Sequence, residues 1–270
     1  MEVLLFSVDP GRSHTKGKSD KGEIIFPSFV SKAIDLNYMP SPVLGDMILE
    51  HERGRFFIGD LARREGVMIR KAMLDTKVVD DTLFHVLGAL YQMGVRDGKV
   101  RVVTGVPIRN YTTEEVTKLK KLLGGEHKFY MNGEKIQVTI TDVYVTVECG
   151  AAFWLNPQKG VVRIIDAGAK TVNWATYEDG IFINRDSGTV DRGWDTNNYS
   201  DAENMAAMII GEIGKGWDRR DKGIIIGGRI SEAKGLEKHI REYFPNIRAY
   251  EDPQFATVRG YHEAARISLS

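Results

Sequence analysis

Short apolar blocks separated by glycine and charged residues open the chain. Glu2–Val8, Glu23–Val30 and Arg55–Asp60 read as strands, and Leu61 to Ala72 as a helix. Asp80-Asp81 then starts a helix whose apolar positions Leu83, Val86, Leu87, Leu90 and Tyr91 recur at the spacing of one helix face, with Gly94 as its stop. Val100–Val106 is an apolar strand running into Thr104-Gly105-Val106-Pro107. The next helix starts at Thr112, where Thr-x-x-Glu to Glu115 forms a capping box. Lys128 to Val147 is a strand pair around Asn132-Gly133, a strong hairpin turn signal. A short apolar helix from Cys149 to Leu155 leads to Asn156-Pro157, which reads as the link between two α/β halves. The second half opens on an apolar strand ending at Asp166, turns at Glu178-Asp179-Gly180, and forms a helix over Ala202 to Ile213. It then carries the strand Lys222 to Ile226, which ends in Gly227-Gly228-Arg229, and a helical pattern from Ser231 to Phe244.

Composition narrows the class without deciding it. With 270 residues, 27% charged and 42% hydrophobic, the chain is long enough for a full core in one large or two modest domains. No apolar run reaches the ~18 residues of a membrane span, and Met1-Glu2 leads straight into a strand, so a cytoplasmic protein without a membrane partner is expected. A single cysteine, Cys149, excludes a disulfide framework and reads as a small buried residue. Lys and Arg number 37, as do Asp and Glu, leaving no net field to draw nucleic acid directly and permitting self-association.

Two turns carry the chemistry. Ser7-Val8-Asp9-Pro10-Gly11 and Ile164-Ile165-Asp166-Ala167-Gly168 each end an apolar strand in Asp-x-Gly. Small or hydroxyl residues follow: Ser13 and Thr15 after the first, Ala169 and Thr171 after the second. A strand that doubles back through glycine points successive backbone N–H groups at one place, which makes an anion nest. The Asp at its mouth can hold the water shell of a Mg²⁺. Two such hairpins point to a phosphate chain held from both sides. Lys16 leaves the second arm of the first hairpin as a compact cation able to reach phosphate. Gly17-Lys18-Ser19 is not a P-loop, because five residues separate it from Gly11 and no helix follows. At Gly227-Gly228 the missing Cβ atoms would let a base or ribose lie against the backbone.

In that order the motifs resemble the actin and sugar-kinase superfamily, and specifically the bacterial actin-like ATPases of the ParM and AlfA type that segregate plasmids. Asp9 to Lys16 resembles their first phosphate loop, Thr104 to Pro107 their Gly-x-Pro strand end and Asp166 to Asn173 their second phosphate loop. Ile226-Gly227-Gly228 resembles their adenosine loop and Val258-Arg259-Gly260-Tyr261 the start of their closing helix. The resemblance implies a duplicated, ribonuclease-H-like α/β fold in two domains. Residues 1–155 would form domain I, with a smaller subdomain inserted over roughly 18–78. Residues 156–270 would form domain II, with the last helix returning to domain I. Most relatives carry a further subdomain between the second hairpin and the adenosine loop. The stretch Trp194 to Ile224 leaves no room for it, which points to the AlfA branch with one wall of the adenine pocket missing.

The resemblance also implies the activity, a nucleotide-driven filament that moves plasmid centromere DNA through a DNA-binding adaptor. The expected cofactors are ATP or GTP with Mg²⁺. The nucleotide-binding set is Asp9, Gly11, Ser13, Thr15, Lys16, Asp166, Gly168, Ala169, Lys170, Gly227, Gly228 and Arg229, with Asp9 and Asp166 holding metal through water. Glu148 is the candidate for orienting the attacking water, against a plain helix-start Glu. Lys170 is either a further phosphate contact or a solvated side chain, and His14 either touches phosphate or faces solvent. The alternatives are a metabolite kinase of the same superfamily and a nucleotide-binding regulator without turnover.

Overall fold

The computed structural model describes residues 3–36, 43, 45–71, 75–196, 201–214 and 216–269. The expected elements' end residues Glu2 and Ala72 lie outside them. The chain divides into two units, residues 1–104 with 112–145, and residues 105–111 with 146–270.

The sheet of the first unit has ten strands among the described residues. In spatial order they are Gly22–Pro27, His14–Ser19, Leu4–Pro10, Asp97–Val106, Glu134–Val147, Gly125–Met131, Met47–His51, Gly54–Ile58, Phe29–Lys32 and Arg70–Lys71. Leu4–Pro10 sits between an antiparallel partner, His14–Ser19, and a parallel one, Asp97–Val106. The helix Asp80–Gln92 packs on this sheet with Leu83, Phe84, Leu87 and Leu90 fully buried, and ends at Gly94, whose φ of +80° only glycine adopts freely.

The second unit repeats the motif. Val161–Ala167 pairs antiparallel with Val172–Glu178 and parallel with Lys222–Ile226, and Ile247–Ala249 lies beyond the latter. Helices Ala202–Ile213 and Ile230–Ile240 cover this sheet through Met205, Ile209, Ile213, Leu236 and Ile240. Among the described residues between Val190 and Lys222, that first helix is the one regular element, and no strand occurs. The last helix, Ala256–Leu269, packs on 148–155 so closely that a Cβ on Gly260 would lie 2.4 Å from the Ala151 carbonyl oxygen.

Several elements differ from expectation, each for a local reason. The helix expected over 61–72 is Asp60–Glu65, because Gly66 packs its Cα against Ala62 O and Ser31, where a Cβ would sit at 2.3 and 2.5 Å. Val67 and Met68, within the span of the expected helix, are exposed. The single strand expected over 23–30 is split at Ser28, because Gly22–Pro27 pairs with His14–Ser19 while Phe29–Lys32 pairs with Gly54–Ile58 and Arg70–Lys71. Met47–His51 was not anticipated. It joins the sheet through Leu49 and Glu50, opposite Met131 and Tyr130. The hairpin turns are as expected: Asn132-Gly133 and Asp179-Gly180 have φ of 53°, 78°, 49° and 83°.

Candidate functional site

The register makes the two hairpins equivalent. Asp9 pairs with Lys16 and Pro10 with Thr15, enclosing residues 11–14; Asp166 pairs with Asn173 and Ala167 with Val172, enclosing 168–171. Each Asp is the penultimate residue of the middle strand of its three-stranded motif, and each side chain is buried within its own environment.

In the first hairpin Asp9 is 6% exposed. Its Oδ2 accepts from Lys16 Nζ at 3.1 Å and its Oδ1 from Lys77 Nζ at 3.4 Å. Burial alone would raise this carboxyl, but the two ammonium groups outweigh it and hold it below the usual carboxylate range. Gly11 is required by close approach, since a Cβ there would meet His14 O at 2.7 Å and lie 3.6 Å from Lys16 Nζ. Ser13 Oγ bonds His14 Nδ1 at 3.0 Å. Thr15 is fully buried, and its hydroxyl pairs with Ser28 Oγ at 2.9 Å, so this side chain belongs to the interior of the unit. Lys18 and Ser19 lie within the strand His14–Ser19, away from any helix start, as the exclusion of a P-loop requires.

The second hairpin is held from one side. Gly168 N donates to Thr171 O at 3.0 Å, closing the turn. The carbonyls of Gly168, Ala169 and Lys170 accept from Trp194 N at 3.0 Å, Asp195 N at 2.7 Å and Gly193 N at 2.9 Å. No peptide bond is cis among the described residues. In a trans peptide the N–H points opposite its C=O. The amides of Ala169, Lys170 and Thr171 therefore face away from 193–195, on one side of the turn, as an anion nest needs. Gly193 permits this contact, because a Cβ would lie 2.5 Å from Gly168 O and from Ala169 C and O.

The Gly-Gly turn of the same unit meets Asp166 directly. Gly227 and Gly228 have φ of +78° and +61°, and a Cβ on Gly227 would lie 2.2 Å from Asp166 Oδ1. The Asp166 carboxylate and the glycine backbone thus share one surface. Arg229 points outward, its guanidinium and backbone N both bonded to Glu232 at 2.9 and 2.7 Å. Glu148 is half-buried at the start of the helix Glu148–Ala151. Cys149 beside it is fully buried and its thiol is pushed well above its ordinary value by burial, so it is a packing residue.

These features fit a magnesium nucleotide. The glycine cradles would be filled by any Cβ. A metal held by one carboxylate, water and phosphate oxygens is the mode magnesium favours. Asp166 fits that role. Asp9, expected to share it, has both oxygens turned to ammonium groups.

A family model described as the actin like proteins N terminal domain matches residues 7–150, just over half of the chain. The chain belongs to the actin-like proteins. Among solved structures, the apo ParM protein of pSK41 matches at a TM-score of 0.79 and 16% identity, covering 100% of this chain and 98% of that one. An AlfA filament bound to AMPPNP matches at 0.77 and 17%, covering 99% and 98%. Ta0583, an archaeal actin homologue, matches at 0.80 and 19%, covering 98% and 100%. At such identities the likeness is one of fold. A search of the curated proteins finds no match. In this actin-like chain no helix among the described residues is long and apolar enough to cross a membrane.

Three features of the site were not read from the sequence. Lys77 reaches Asp9, Glu115 holds the loop that carries Lys77, and Gly193-Trp194-Asp195 clasps the second hairpin. Lys77 and Glu115 carry no local signature. The Arg192-Gly193-Trp194 stretch had one signal, a glycine beside a bulky residue with no turn pattern around it.

Proposed function

We propose that this chain is a nucleotide-dependent, filament-forming ATPase that segregates plasmid DNA through a DNA-binding adaptor. The observation that carries the reading is the second hairpin: three peptide units clasped on their carbonyl side by 193–195 offer three amides beside the buried Asp166. Convergent amides at a tight turn suit the oxygens of a phosphate chain.

Each unit brings its own groups to nucleotide. The turns at Gly11 and at Gly168, Ala169 and Lys170 bind phosphate, with Ser13 and Lys16 beside the first. Gly227 and Gly228 leave space for the adenosine of ATP, or the guanosine of GTP, and Arg229 lies at the edge of that turn. Thr15 acts from inside, fixing the first hairpin through Ser28. Bound Mg²⁺ supplies charge neutralisation at the phosphates, and Asp166 holds its water shell. Glu148 orients the attacking water. Catalysis of this kind is positioning and electrostatics, with little covalent work for the protein.

Filament formation by this chain is supported by its family and by its match to an AlfA filament that carries a nucleotide analogue. With equal numbers of basic and acidic side chains, the chain has no net field for DNA, which supports a plasmid contact made through a basic adaptor. The reading is tested by pelleting the purified protein with ATP and Mg²⁺, with ADP, and without nucleotide. ATP-dependent sedimentation accompanied by phosphate release supports it. A protein that stays in the supernatant under all three conditions refutes it.

A further inference from the structure

Two carboxylates flank the Gly227-Gly228 turn, one against each glycine. Asp166 Oδ1 lies 2.2 Å from where a Cβ on Gly227 would stand, and Glu232 Oε2 lies 2.6 Å from where a Cβ on Gly228 would stand. Glu232 closes a capping box at the start of the helix Ile230–Ile240. Its Oε2 accepts from Arg229 N at 2.7 Å, and its Oε1 takes the Arg229 guanidinium at 2.9 Å. That cap uses one lone pair of Oε2, and a carboxylate oxygen carries two. Two further polar atoms surround the Cβ position of Gly228, Trp194 Nε1 at 3.2 Å and Ala167 O at 3.3 Å. The indole nitrogen is buried without a hydrogen-bond partner, and Ala167 is 1% exposed, so both belong to the inner wall. Glu232, with 18% of its side chain exposed, is the one of the three that reaches the surface.

We infer that Glu232 is a specificity-determining residue that accepts a hydrogen bond from a ribose hydroxyl, so that the site takes ribonucleotides over their deoxy counterparts. The inference rests on the nucleotide reading above and names the part of the ligand that the Gly-Gly turn recognises. In a nucleotide the ribose follows the phosphates. Glu232 Oε2 and Ala167 O, the carbonyl that leads into the turn at Gly168, lie 2.6 and 3.3 Å from the same Cβ position. A ligand whose phosphates rest on the amides of 169–171 therefore has its sugar, and not the far edge of its base, in reach of that carboxylate. Gly228 admits it, since a Cβ there would press on the carboxylate oxygen. An acidic side chain beside a glycine turn reads ribose in the same way in dinucleotide-binding folds. A hydroxyl meeting a carboxylate makes a charge-assisted hydrogen bond, and a sugar without that hydroxyl leaves the acceptor unmet.

The test is binding of ADP, 2′-deoxy-ADP and 3′-deoxy-ADP in Mg²⁺, measured by titration calorimetry with the full chain below its assembly threshold. Wild type should bind ADP about tenfold more tightly than at least one of the deoxy analogues. Glu232→Ala should bind all three within about twofold of one another. A glutamate that only caps its helix would lower the melting temperature of Glu232→Ala and shift all three affinities by one factor, leaving the wild-type ratio intact, which overturns the inference. Should Glu232→Ala not fold, Glu232→Gln keeps a neutral oxygen for the cap. The gap should then shrink to about threefold, since a neutral acceptor makes a bond about half as strong; an unchanged gap overturns the inference. Wild type that binds ADP and both analogues equally also overturns it, and leaves the nucleotide reading standing. If wild type binds none of the three, the nucleotide reading itself fails.

Discussion

Gly193→Ala tests the geometry of the second hairpin. The new methyl carbon would start 2.5 Å from Gly168 O and from both the carbon and oxygen of the Ala169 carbonyl. Unstrained carbon contacts lie near 3.5–4.0 Å, so segment 193–195 has to retreat by about 1 Å. A retreat of that size breaks most of the three bonds at 2.9, 3.0 and 2.7 Å that hold the hairpin's carbonyls. At about 1 kcal/mol net for each, losing two costs ~2 kcal/mol of order in the amide nest. The expected loss of nucleotide affinity is ~30-fold. Gly211→Ala is the control. It lies in the helix Ala202–Ile213 with no atom within 4 Å of its Cβ, and should stabilise the protein by up to ~1 kcal/mol without changing affinity. Anisotropy titration of a fluorescent ATP analogue in Mg²⁺, with a thermal melt of each variant, reads both quantities. Wild-type affinity in a folded Gly193→Ala protein would show that 193–195 does not organise the nest.

Other expected outcomes follow from the same geometry. Arg163 is 5% exposed and bonds Asp221 at 2.8 Å, Thr176 Oγ1 at 2.6 Å and Gly216 O at 3.2 Å, with its guanidinium 5.1 Å from the Trp217 ring. Arg163→Ala leaves Asp221 without its buried cation and should cost about 3–5 kcal/mol in urea unfolding. His85 is fully buried, and burial lowers its pKa to about 4, so folding holds it neutral. The unfolded chain then binds more protons between pH 6.5 and 4, and stability falls as pH drops through that window. Wild type should lose roughly 2 kcal/mol more than His85→Leu between pH 7 and pH 5. Glu148→Ala should slow phosphate release yet permit assembly, because orienting water is separable from binding, and its filaments should persist longer in a disassembly assay. Asp166→Ala should abolish Mg²⁺-dependent hydrolysis while its circular dichroism stays that of wild type, since a carboxylate at a strand end beside Gly227 serves the site and not the core.

Local rules carried the hairpins. Asp-x-Gly at the end of an apolar strand sets both the turn and its register, and the second pair, Asp166 opposite Asn173, lies where that pattern puts it. The Thr112 cap was legible in the same way, and Glu115 N does donate to Thr112 Oγ1 at 3.1 Å. The Glu115 side chain instead answers to tertiary structure, reaching Thr76 and Lys77. That long-range choice hid Lys77, which looks from the sequence like any lysine in a polar loop. The clasp by Gly193 was hidden for a related reason. Its contacts are made by backbone atoms, which every residue has, so only the absence of a Cβ marks it. Thr15 shows the converse: its place in the motif suggested phosphate, but strand alternation turns it inward to Ser28.

Right-angle light scattering of the wild-type chain, followed as ATP and Mg²⁺ are added and then exhausted, tests the central claim most directly. The account predicts a rise that requires both, a decay as phosphate is released, and no decay with a non-hydrolysable analogue. A trace that stays flat with ATP, or that rises equally without nucleotide, would contradict it.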